Sequence, residues 1–227
     1  FLTDKFVAVG NTGTILTSPD GTTWTAQTSG TTVQLDSVTT GNDTFVVVGA
    51  SGTILTSPDG TTWTAKTSGT TNDLEGVTYG NGLFVAVGNT NFYTSPDGGT
   101  WTERTSGVNK VLSGVTFSTD NFVAVGQTGT ILTSPDGTGS WTAHTSGSTK
   151  HLRAVAYGNS KFVAVGDEGT MLTSNDVTTT FSATVSKLSL SGIDNSTSVN
   201  FDKMTSSGNS LYLTGSSTNS PMYRVNL

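Results

Sequence analysis

Short apolar runs recur along this chain at nearly constant spacing, separated by polar stretches rich in Gly, Ser, Thr and Asn. The pentapeptide FVAVG, with small changes, stands at 6–10, 45–49, 84–88, 122–126 and 162–166, and a degenerate copy, LYLTG, stands at 211–215. Successive copies are separated by 39, 39, 38, 40 and 49 residues. Periods of about 40 residues with four short apolar runs are typical of β-propeller blades, whereas helical repeats of that length show a 3.6-residue period. The pattern predicts an all-β protein with almost no helix.

Each repeat is predicted to form one antiparallel sheet of four strands, named A to D from the axis to the rim. The runs interpreted as strands are 74–79 for A, 84–87 for B, 53–56 for C and 63–67 for D. Each is β-branched or aromatic and is bounded by turn residues. Strand B is apolar throughout and is predicted to be buried on both faces, while strand D alternates as a half-exposed outer strand does. Gly52 and Gly129 are predicted to take positive φ in the turns between strands B and C.

The repeats predict a single domain over residues 1–227, an antiparallel β-propeller of about six four-stranded blades. The predicted repeat boundaries are approximately 1–34, 35–73, 74–111, 112–151, 152–200 and 201–227. The first repeat begins late in strand A and the last ends after strand C, so each of these two blades is predicted to be short of a strand. A propeller of five blades, with 201–207 completing the first one, is the alternative. Open blades expose unpaired strand edges, which suggests self-assembly in which a neighbouring copy supplies a strand.

A second motif joins strands C and D. SPDGTTW stands at 18–24 and 57–63, SPDGGTW at 95–101, an eight-residue form at 134–141 and a weaker form at 174–181. These segments resemble the Asp-box family, also called bacterial neuraminidase repeats (BNR), and the strands around them are similar to those of photosystem II assembly-factor propellers. The resemblance implies a β-propeller in which each box is a structural hairpin on the face away from the binding site. The box residues are Ser18, Asp20, Trp24, Ser57, Asp59, Trp63, Ser95, Asp97, Trp101, Ser134, Asp136, Trp141, Ser174, Asp176 and Phe181.

The aspartates of these boxes could suggest catalysis or metal binding, but each lies in a different predicted blade. In a ring of six blades they would lie about 60° apart and could not meet at one substrate. A structural role has a complete mechanism. The carboxylate accepts hydrogen bonds from the N–H groups of its own turn, Pro sets φ, Gly takes the strained dihedral and Trp covers the hairpin. The boxes are therefore predicted to stabilise the fold and not to catalyse.

The composition excludes several classes of partner and site. Ten basic and sixteen acidic residues give a formal charge of −6, which is the wrong sign for binding phosphate backbones. The sequence has no cysteine, which excludes disulfides and thiolate metal sites, and it has no apolar run long enough for a membrane-spanning helix. His144 and His151 show no metal-ligand spacing, and no phosphate-binding glycine motif opens a helix. We predict no cofactor, no metal, no nucleic-acid partner and no membrane span.

The family resemblance raises one enzymatic alternative, a carbohydrate-active hydrolase of the sialidase type. Such enzymes are expected to use an arginine triad for the substrate carboxylate and a tyrosine nucleophile with a carboxylate partner. The only arginines of the sequence are Arg104, Arg153 and Arg224, and of these only Arg153 falls on a predicted inner strand. We therefore predict that the protein is not an enzyme and has no catalytic residues, and the hydrolase is kept as the alternative.

The repeats differ most in the loops between strands D and A and between strands B and C, which a propeller places on one face. Charged residues gather in these loops and at the position after the first apolar residue of strand A. The candidate partner face consists of Asp36, Glu75, Lys110, Lys150, His151, Arg153, Asp167, Glu168 and Asp202. The favoured prediction is a secreted, non-catalytic binding or structural module, such as an appendage, fibre or assembly scaffold, that recognises protein or carbohydrate. Its predicted location is extracellular, at a cell surface or at a virion surface.

Overall fold

The computed structural model describes residues 5–118, 120–139 and 141–174, and the backbone of three later strands, Phe201–Ser207, Ser210–Gly215 and Tyr223–Asn226. Within these residues the regular structure consists of β-strands and four short 3-10 turns. The strands form six antiparallel sheets that follow one another along the sequence. No helix in the described part of the protein has the length and apolar character needed to cross a membrane.

Each sheet is built from strands that are consecutive in sequence. The first sheet contains β1 (Phe6–Val9), β2 (Ile15–Ser18) and β3 (Thr25–Gln27). The second contains β4 (Leu35–Gly41), β5 (Thr44–Gly49), β6 (Thr53–Ser57) and β7 (Thr64–Lys66). The third contains β8 (Gly76–Gly80), β9 (Leu83–Gly88), β10 (Asn91–Ser95) and β11 (Thr102–Thr105).

The remaining three sheets repeat this order. The fourth sheet contains β12 (Leu112–Phe117), β13 (Phe122–Gly126), β14 (Ile131–Ser134) and β15 (Thr142–His144). The fifth contains β16 (Leu152–Gly158), β17 (Lys161–Gly166) and β18 (Met171–Ser174). The sixth contains β19 (Phe201–Ser207), β20 (Ser210–Gly215) and β21 (Tyr223–Asn226).

The predicted order of strands A to D is confirmed in the second, third and fourth sheets. Gly52 and Gly129 have φ values of 68° and 70°, which confirms the positive φ predicted for the turns between strands B and C. The four residues at 84–87 are each 0% exposed, so strand B is buried on both faces as predicted. The outer strand β7 differs from the prediction, because Thr64 and Ala65 are both exposed. This strand is the edge of its sheet and pairs on one side only.

The segment considered as the missing strand of the first blade pairs elsewhere. Phe201–Ser207 forms β19 and pairs with β20. This pairing places the segment in the sixth sheet and opposes the five-bladed alternative. The strand predicted at the end of the last repeat is β21, Tyr223–Asn226, which pairs with β20.

The protein divides into two compact units, Phe1–Asn109 with Asp136–Ser140 and Lys110–Pro135 with Trp141–Leu227. In the first unit the inner strand β4 lies against β8. There the N–H groups of Leu35 and Leu74 donate to carbonyls of the preceding sheet, those of Gly10 and Gly49, each at 3.1 Å. In the second unit β12 lies against β16, and β16 lies against β19. The single domain and its repeat boundaries stay predictions.

The hydrophobic core lies between successive sheets. Between the second and third sheets the buried residues are Val46, Val48, Ile54, Leu74, Val77, Phe84, Ala86 and Tyr93. Between the fourth and fifth sheets they are Val123, Val125, Ile131, Leu152, Val155, Phe162, Ala164 and Leu172. Burying one large apolar side chain contributes roughly 1.5–3 kcal/mol. Strand B is apolar at every position because both of its faces are covered.

Aromatic rings connect strand A to the turn between strands C and D. Tyr79 packs on Phe84 with ring centroids 4.6 Å apart, and Phe84 packs on Trp101 at 6.5 Å. The fourth sheet repeats this arrangement at 4.6 and 6.5 Å with Phe117, Phe122 and Trp141. Tilted aromatic pairs at these distances are favourable beyond their buried area. The tryptophan of each of these turns is thereby fixed to strand B of its own sheet.

Candidate functional site

Strand A of four sheets begins with a β-bulge, in which one residue stands outside the hydrogen-bonded ladder. In the second sheet Leu35 and Ser37 face consecutive residues of β5, so Asp36 is the extra residue. The extra residues of the fourth, fifth and sixth sheets are Ser113, Arg153 and Asp202. A bulge changes the direction in which a side chain points and is frequent near binding sites. The structure therefore places Asp36, Arg153 and Asp202 at one equivalent position.

Glu75 occupies this position in the third sheet, although strand A starts later there. The sequence predicted a strand from residue 74, whereas β8 begins at Gly76. The N–H of Glu75 donates to the carbonyl of Val87 at 2.8 Å, and Gly76 faces the same Val87. Two residues of strand A thus meet one residue of strand B, as at a bulge.

A glycine faces each bulge because two backbones approach closely there. A Cβ added to Gly49 would lie 2.2 Å from the carbonyl oxygen of Gln34, and one added to Gly166 would lie 1.9 Å from that of His151. The same two carbonyls accept hydrogen bonds at 2.9 Å from the N–H groups of Ala50 and Asp167. Only glycine leaves room for this contact. The last residue of FVAVG is therefore the one that allows the bulge.

The turns between strands B and C have one shape in four sheets. They are the 3-10 turns Asn11–Gly13, Ala50–Gly52, Gln127–Gly129 and Asp167–Gly169, whose central residues have φ between 54° and 56°. Positive φ is uncommon for a residue with a side chain. Among these four turns only that of the fifth sheet contains acidic residues, Asp167 and Glu168.

Charged residues of the fifth sheet meet at its loop end, which we define as the end that carries the B–C turn and the entry to strand A. Arg153 Nε lies 2.5 Å from Asp167 Oδ1, and Arg153 Nη2 lies 3.4 Å from Asp167 Oδ2. Lys150 Nζ lies 2.6 Å from Glu168 Oε1. The four side chains are between 28% and 59% exposed. The structure thus brings together four residues of the predicted partner face.

His151 joins this group to the fourth sheet. Its Nε2 lies 2.7 Å from the hydroxyl oxygen of Ser113, the bulge residue of β12. Its carbonyl accepts a hydrogen bond from the N–H of Asp167 at 2.9 Å. Ser113 is 8% exposed, so this residue is largely buried. We call the whole group the charged patch, which consists of Ser113, Lys150, His151, Arg153, Asp167 and Glu168.

The charged patch is suited to recognition more than to stabilisation. Ion pairs this exposed typically contribute about 0–1 kcal/mol to folding. Their geometry instead fixes two cationic and two anionic groups side by side, with the bulge and the B–C turn holding the backbone. Charges held in place in this way can contribute to the choice of a partner with complementary charges.

The other predicted face residues lie on or next to strands of other sheets. Asp36 belongs to the first unit, where it accepts a hydrogen bond from Gln34 Nε2 at 2.6 Å. Lys110 is exposed and lies just before β12. Asp202 lies on β19, and its side chain is outside the described residues. Within the described ranges, no three His, Cys, Asp or Glu side chains are grouped as they would be around a metal ion.

The turns between strands C and D are held by their aspartates, at the opposite end of each sheet from the loop end. Asp20 Oδ1 accepts hydrogen bonds from the N–H groups of Thr22 and Thr23, each at 2.8 Å, and from the Ser18 hydroxyl at 3.0 Å. Asp59 accepts the two corresponding backbone bonds at 2.8 Å. Asp97 and Asp136 do so at 2.8 to 3.1 Å.

These bonds lower the pKa values of the aspartates. The backbone N–H groups of Thr23 and Thr22, in that order, hold the pKa of Asp20 well below its usual value. Equivalent backbone bonds lower the pKa values of Asp59 and Asp97. A carboxylate that hydrogen bonds within its own turn keep ionised is a poor proton donor at neutral pH. Asp176 and Phe181 lie outside the described residues, and membership of the Asp-box family stays a prediction.

In three of the C–D turns the tryptophan side chain also donates a hydrogen bond within the turn. Trp63 Nε1 donates to the carbonyl of Gly60 at 3.1 Å, and Gly60 has a φ of 75°. Trp24 and Trp101 make the same bond at 3.2 and 2.9 Å. The first copy is the least covered, since Trp24 is 41% exposed.

Sequence reasoning missed one group of residues, the serines of a Thr-Ser-Gly tripeptide that follows strand D at 28–30, 67–69, 105–107 and 145–147. Its fourfold recurrence was the signal. These serines, Ser29, Ser68, Ser106 and Ser146, are buried. Ser68 Oγ donates to the carbonyl of Thr70 at 3.1 Å, and a Cβ on Gly52 would lie 2.9 Å from that Oγ. The serine therefore holds the D–A connection against the B–C turn.

Open clefts lie beside two of these connections. One of about 570 Å³ is lined by Gly52 and residues 66–71. Another of about 560 Å³ is lined by the equivalent residues of the first sheet, 12–13 and 27–32. Both are walled by hydroxyl groups and glycine backbone, and both lie at the loop end.

Comparison with known proteins agrees with the arrangement of the sheets. The DUF6242 beta propeller domain matches residues 7–112. YCF48 bound to D1 peptide is 19% identical, with a TM-score of 0.67 over 95% of this protein and 73% of that one. YCF48 from Cyanidioschyzon merolae is 17% identical, with a TM-score of 0.63 over 93% of this protein and 77% of that one.

A third solved structure, from the nidogen/laminin complex, is 15% identical, with a TM-score of 0.72 over 98% of this protein and 89% of that one. No curated protein matches this sequence. Identities this low establish the fold alone. The repeated antiparallel sheets, the matching propeller domain and these solved structures together show that this is an all-β protein with the β-propeller fold.

Proposed function

We propose that this β-propeller is a non-catalytic module that binds a partner protein through its loop end, with the charged patch as the centre of the contact. The observation that carries the proposal is the pairing of Arg153 with Asp167 and of Lys150 with Glu168. The corresponding B–C turns of three other sheets carry no acidic residue. Acidic residues thus enter the B–C turn at one of four repeats, and variation between repeats in such a loop is typical of a recognition surface.

The similar solved structures make a protein the first class of partner to test. One structure is of YCF48 with a D1 peptide, and another is of a nidogen/laminin complex. A peptide offers charged side chains of both signs at fixed spacing, as the charged patch does. The location proposed for the module is extracellular, at a cell surface or at a virion surface, which rests on its Thr-, Ser- and Gly-rich composition.

A displayed library of random peptides tests the proposal. Peptides selected on the unmodified protein are measured against Arg153→Ala and Lys150→Ala, with Lys161→Ala as the matched control. Lys161 is exposed and lies at the opposite end of the same sheet. We expect roughly tenfold weaker binding for the two patch variants, as for truncation of an interface arginine or lysine, and no change for the control. Equal effects at Lys161, or none at Arg153 and Lys150, would overturn the proposal.

The enzymatic alternative is tested on the same preparation. Generic sialosides and β-glycosides are incubated with the unmodified protein, and product release is followed over time. The proposal predicts no turnover. If turnover persisted after repeated purification and were lost in Arg153→Ala, the proposal of a binding module would be wrong and the protein would be a hydrolase. Saturable binding of a glycoside without turnover would keep the module and change its ligand from protein to carbohydrate.

A second candidate role is self-assembly through the edge of the first sheet. Phe6 on β1 is 56% exposed, whereas Phe45, which has the same place on β5, is 3% exposed. An apolar residue on a strand edge can pair with a strand from another molecule. Sedimentation velocity over a wide concentration range tests this role. Concentration-dependent association that Phe6→Ser abolishes supports it, and a monomer at every concentration excludes it.

A further inference from the structure

Three sheets share one two-residue hairpin between strands A and B. The loop residues are Asn42 and Asp43 in the second sheet, Asn81 and Gly82 in the third, and Asn159 and Ser160 in the fifth. All six residues are exposed and all six have positive φ, with the asparagines between 47° and 50°. The three loops therefore share one backbone shape. Positive φ at both central residues makes each of them a primed hairpin turn. They differ in the residue that follows asparagine.

We propose that Asn81 is a site of spontaneous deamidation, a covalent modification that the other two hairpins resist. The amide nitrogen of Gly82 attacks Cγ of Asn81, a new C–N bond closes a five-membered imide, and the bond from Cγ to Nδ2 breaks to release ammonia. Water then adds to one of the two imide carbonyls and opens the ring. The product is aspartate or isoaspartate, according to which C–N bond is hydrolysed. Water is the sole co-reactant, and no atom is oxidised or reduced.

The choice of Asn81 follows from the side chain that neighbours the attacking nitrogen. Asp43 and Ser160 carry a Cβ that crowds the backbone nitrogen, whereas Gly82 carries none and also moves freely between backbone conformations. A Cβ built on Gly82 would meet no heavy atom within 4 Å, so the loop is open on that side. Asn42 is further restrained by its contact from Nδ2 to the carbonyl of Pro96 at 3.5 Å. Asn81-Gly82 is the only Asn-Gly pair in the sequence.

The Asp-Gly pairs of the C–D turns would be the competing sites for the same chemistry, and in two of the four turns the geometry protects the pair. The N–H groups of Gly21 and Gly60 donate to the hydroxyls of Ser18 and Ser57 at 2.8 Å, which ties up the attacking nitrogen. The lowered pKa of Asp59 also keeps the carboxyl ionised, and an ionised carboxyl has no suitable leaving group. In the part of the protein that the structure describes, no hydrogen bond engages the N–H of Gly82.

Modification at Asn81 would alter the hairpin chemically and geometrically. Aspartate adds one negative charge, and isoaspartate also routes the backbone through Cβ and Cγ, which lengthens a loop of two residues. Hairpin register depends on loop length. Because Gly80 and Leu83 flank the loop as the last paired residues of β8 and β9, we expect the isoaspartate form to loosen this pair first.

Peptide mapping by mass spectrometry tests the proposal on the folded protein incubated at mildly alkaline pH. We expect Asn81 to convert several times faster than Asn42 and Asn159, which serve as internal controls. Two reciprocal variants give the matched test. Gly82→Ser copies the fifth-sheet loop and is expected to suppress conversion at Asn81, while Ser160→Gly copies the third-sheet loop and is expected to move rapid conversion to Asn159.

Several outcomes would overturn the inference. If Asn42 or Asn159 converted as fast as Asn81, the missing Cβ of Gly82 would not be what sets the rate of deamidation. Conversion of Asn81 in urea-unfolded protein but not in folded protein would show that the native loop is protected. Thermal unfolding curves of the two variants check that each remains folded, and Ser160→Gly keeps the test valid if Gly82→Ser does not fold.

Discussion

The hydroxyl of Ser113 lies 2.7 Å from Nε2 of His151 and connects the bulge of β12 to the residue that precedes β16. The contact belongs to the charged patch, whose fifth-sheet residues include the ion pair of Arg153 with Asp167. It joins two successive sheets through polar side chains, in addition to the apolar core between them.

We expect the Ser113→Ala and His151→Phe variants to be coupled in stability. A net hydrogen bond contributes about 1 kcal/mol, which corresponds to a fall in Tm of about 2–4 °C for a protein of this size. Each single variant should show a fall of this order. The double variant should lose no more than either alone, since both remove the same bond. Additive losses measured by thermal unfolding would show that the two side chains act independently.

Gly49 is expected to be far less replaceable than Gly10, although both end a copy of the same pentapeptide. Both have an extended backbone with φ of −172°. A Cβ at Gly49 would lie 2.2 Å from the carbonyl of Gln34, whereas one at Gly10 would meet nothing within 4 Å. Gly49→Ala should therefore lower the free energy of unfolding by more than about 2 kcal/mol, while Gly10→Ala should be close to neutral. Urea unfolding of the pair checks this, and equal losses would contradict the bulge geometry.

Asp59 is expected to stabilise the fold at neutral pH and to lose that effect in acid. Its folded pKa lies well below the ordinary value of 3.8, mainly because the N–H groups of Thr62 and Thr61 bind the carboxylate. A group with a lowered folded pKa stabilises fully above its unfolded pKa, and the effect is lost as pH falls through the folded value. Asp59→Asn should thus have a lower Tm than the unmodified protein at pH 7, and the gap should narrow below pH 3.8.

The matched control for this prediction is Asp43→Asn, which removes the same charge from an exposed hairpin turn. Its Tm should follow that of the unmodified protein at both pH values. A gap at Asp59 that is independent of pH would mean that the carboxylate charge plays no part in holding the turn.

His144 should make the fold less stable in mild acid. Burial lowers the pKa of His144 from the ordinary value of 6.5, and Nε2 lies 2.7 Å from the hydroxyl of Thr133. The unfolded protein therefore binds a proton before the folded protein does, so stability is full above pH 6.5 and declines as pH falls through the folded pKa. His144→Gln should flatten this part of the curve of Tm against pH. An unchanged slope would assign the acid sensitivity to other groups.

The strands could be predicted from the sequence because their signals are local. The apolar run at 84–87 and the positive φ of Gly52 depend on neighbours only a few residues away, and both are found in the structure. The start of strand A could not be predicted in the same way. Whether Glu75 lies inside or before the strand depends on how it meets Val87, twelve residues further along the sequence, and that register is set by packing and not by propensity.

The charged patch was predicted in part for the same reason. The repeats differ at these positions, but no spacing in the sequence indicates that Arg153 pairs with Asp167 or that His151 reaches Ser113. These contacts depend on the bulge and on the closeness of two sheets. The buried Ser68 was missed because a short polar tripeptide looks like an ordinary surface loop until the turn that covers it is known.

In several sheets the bulge holds one residue that takes no part in strand pairing. The type of amino acid at this position therefore does not affect the pairing. Asp36, Ser113 and Arg153 differ in charge and size, yet the paired residues on either side keep the same alignment. Substitutions at Asp36 and Arg153 should therefore alter what the loop ends of their sheets bind at little cost to strand pairing. A library randomised at these positions alone would keep the framework intact and would offer a route to new binding specificities.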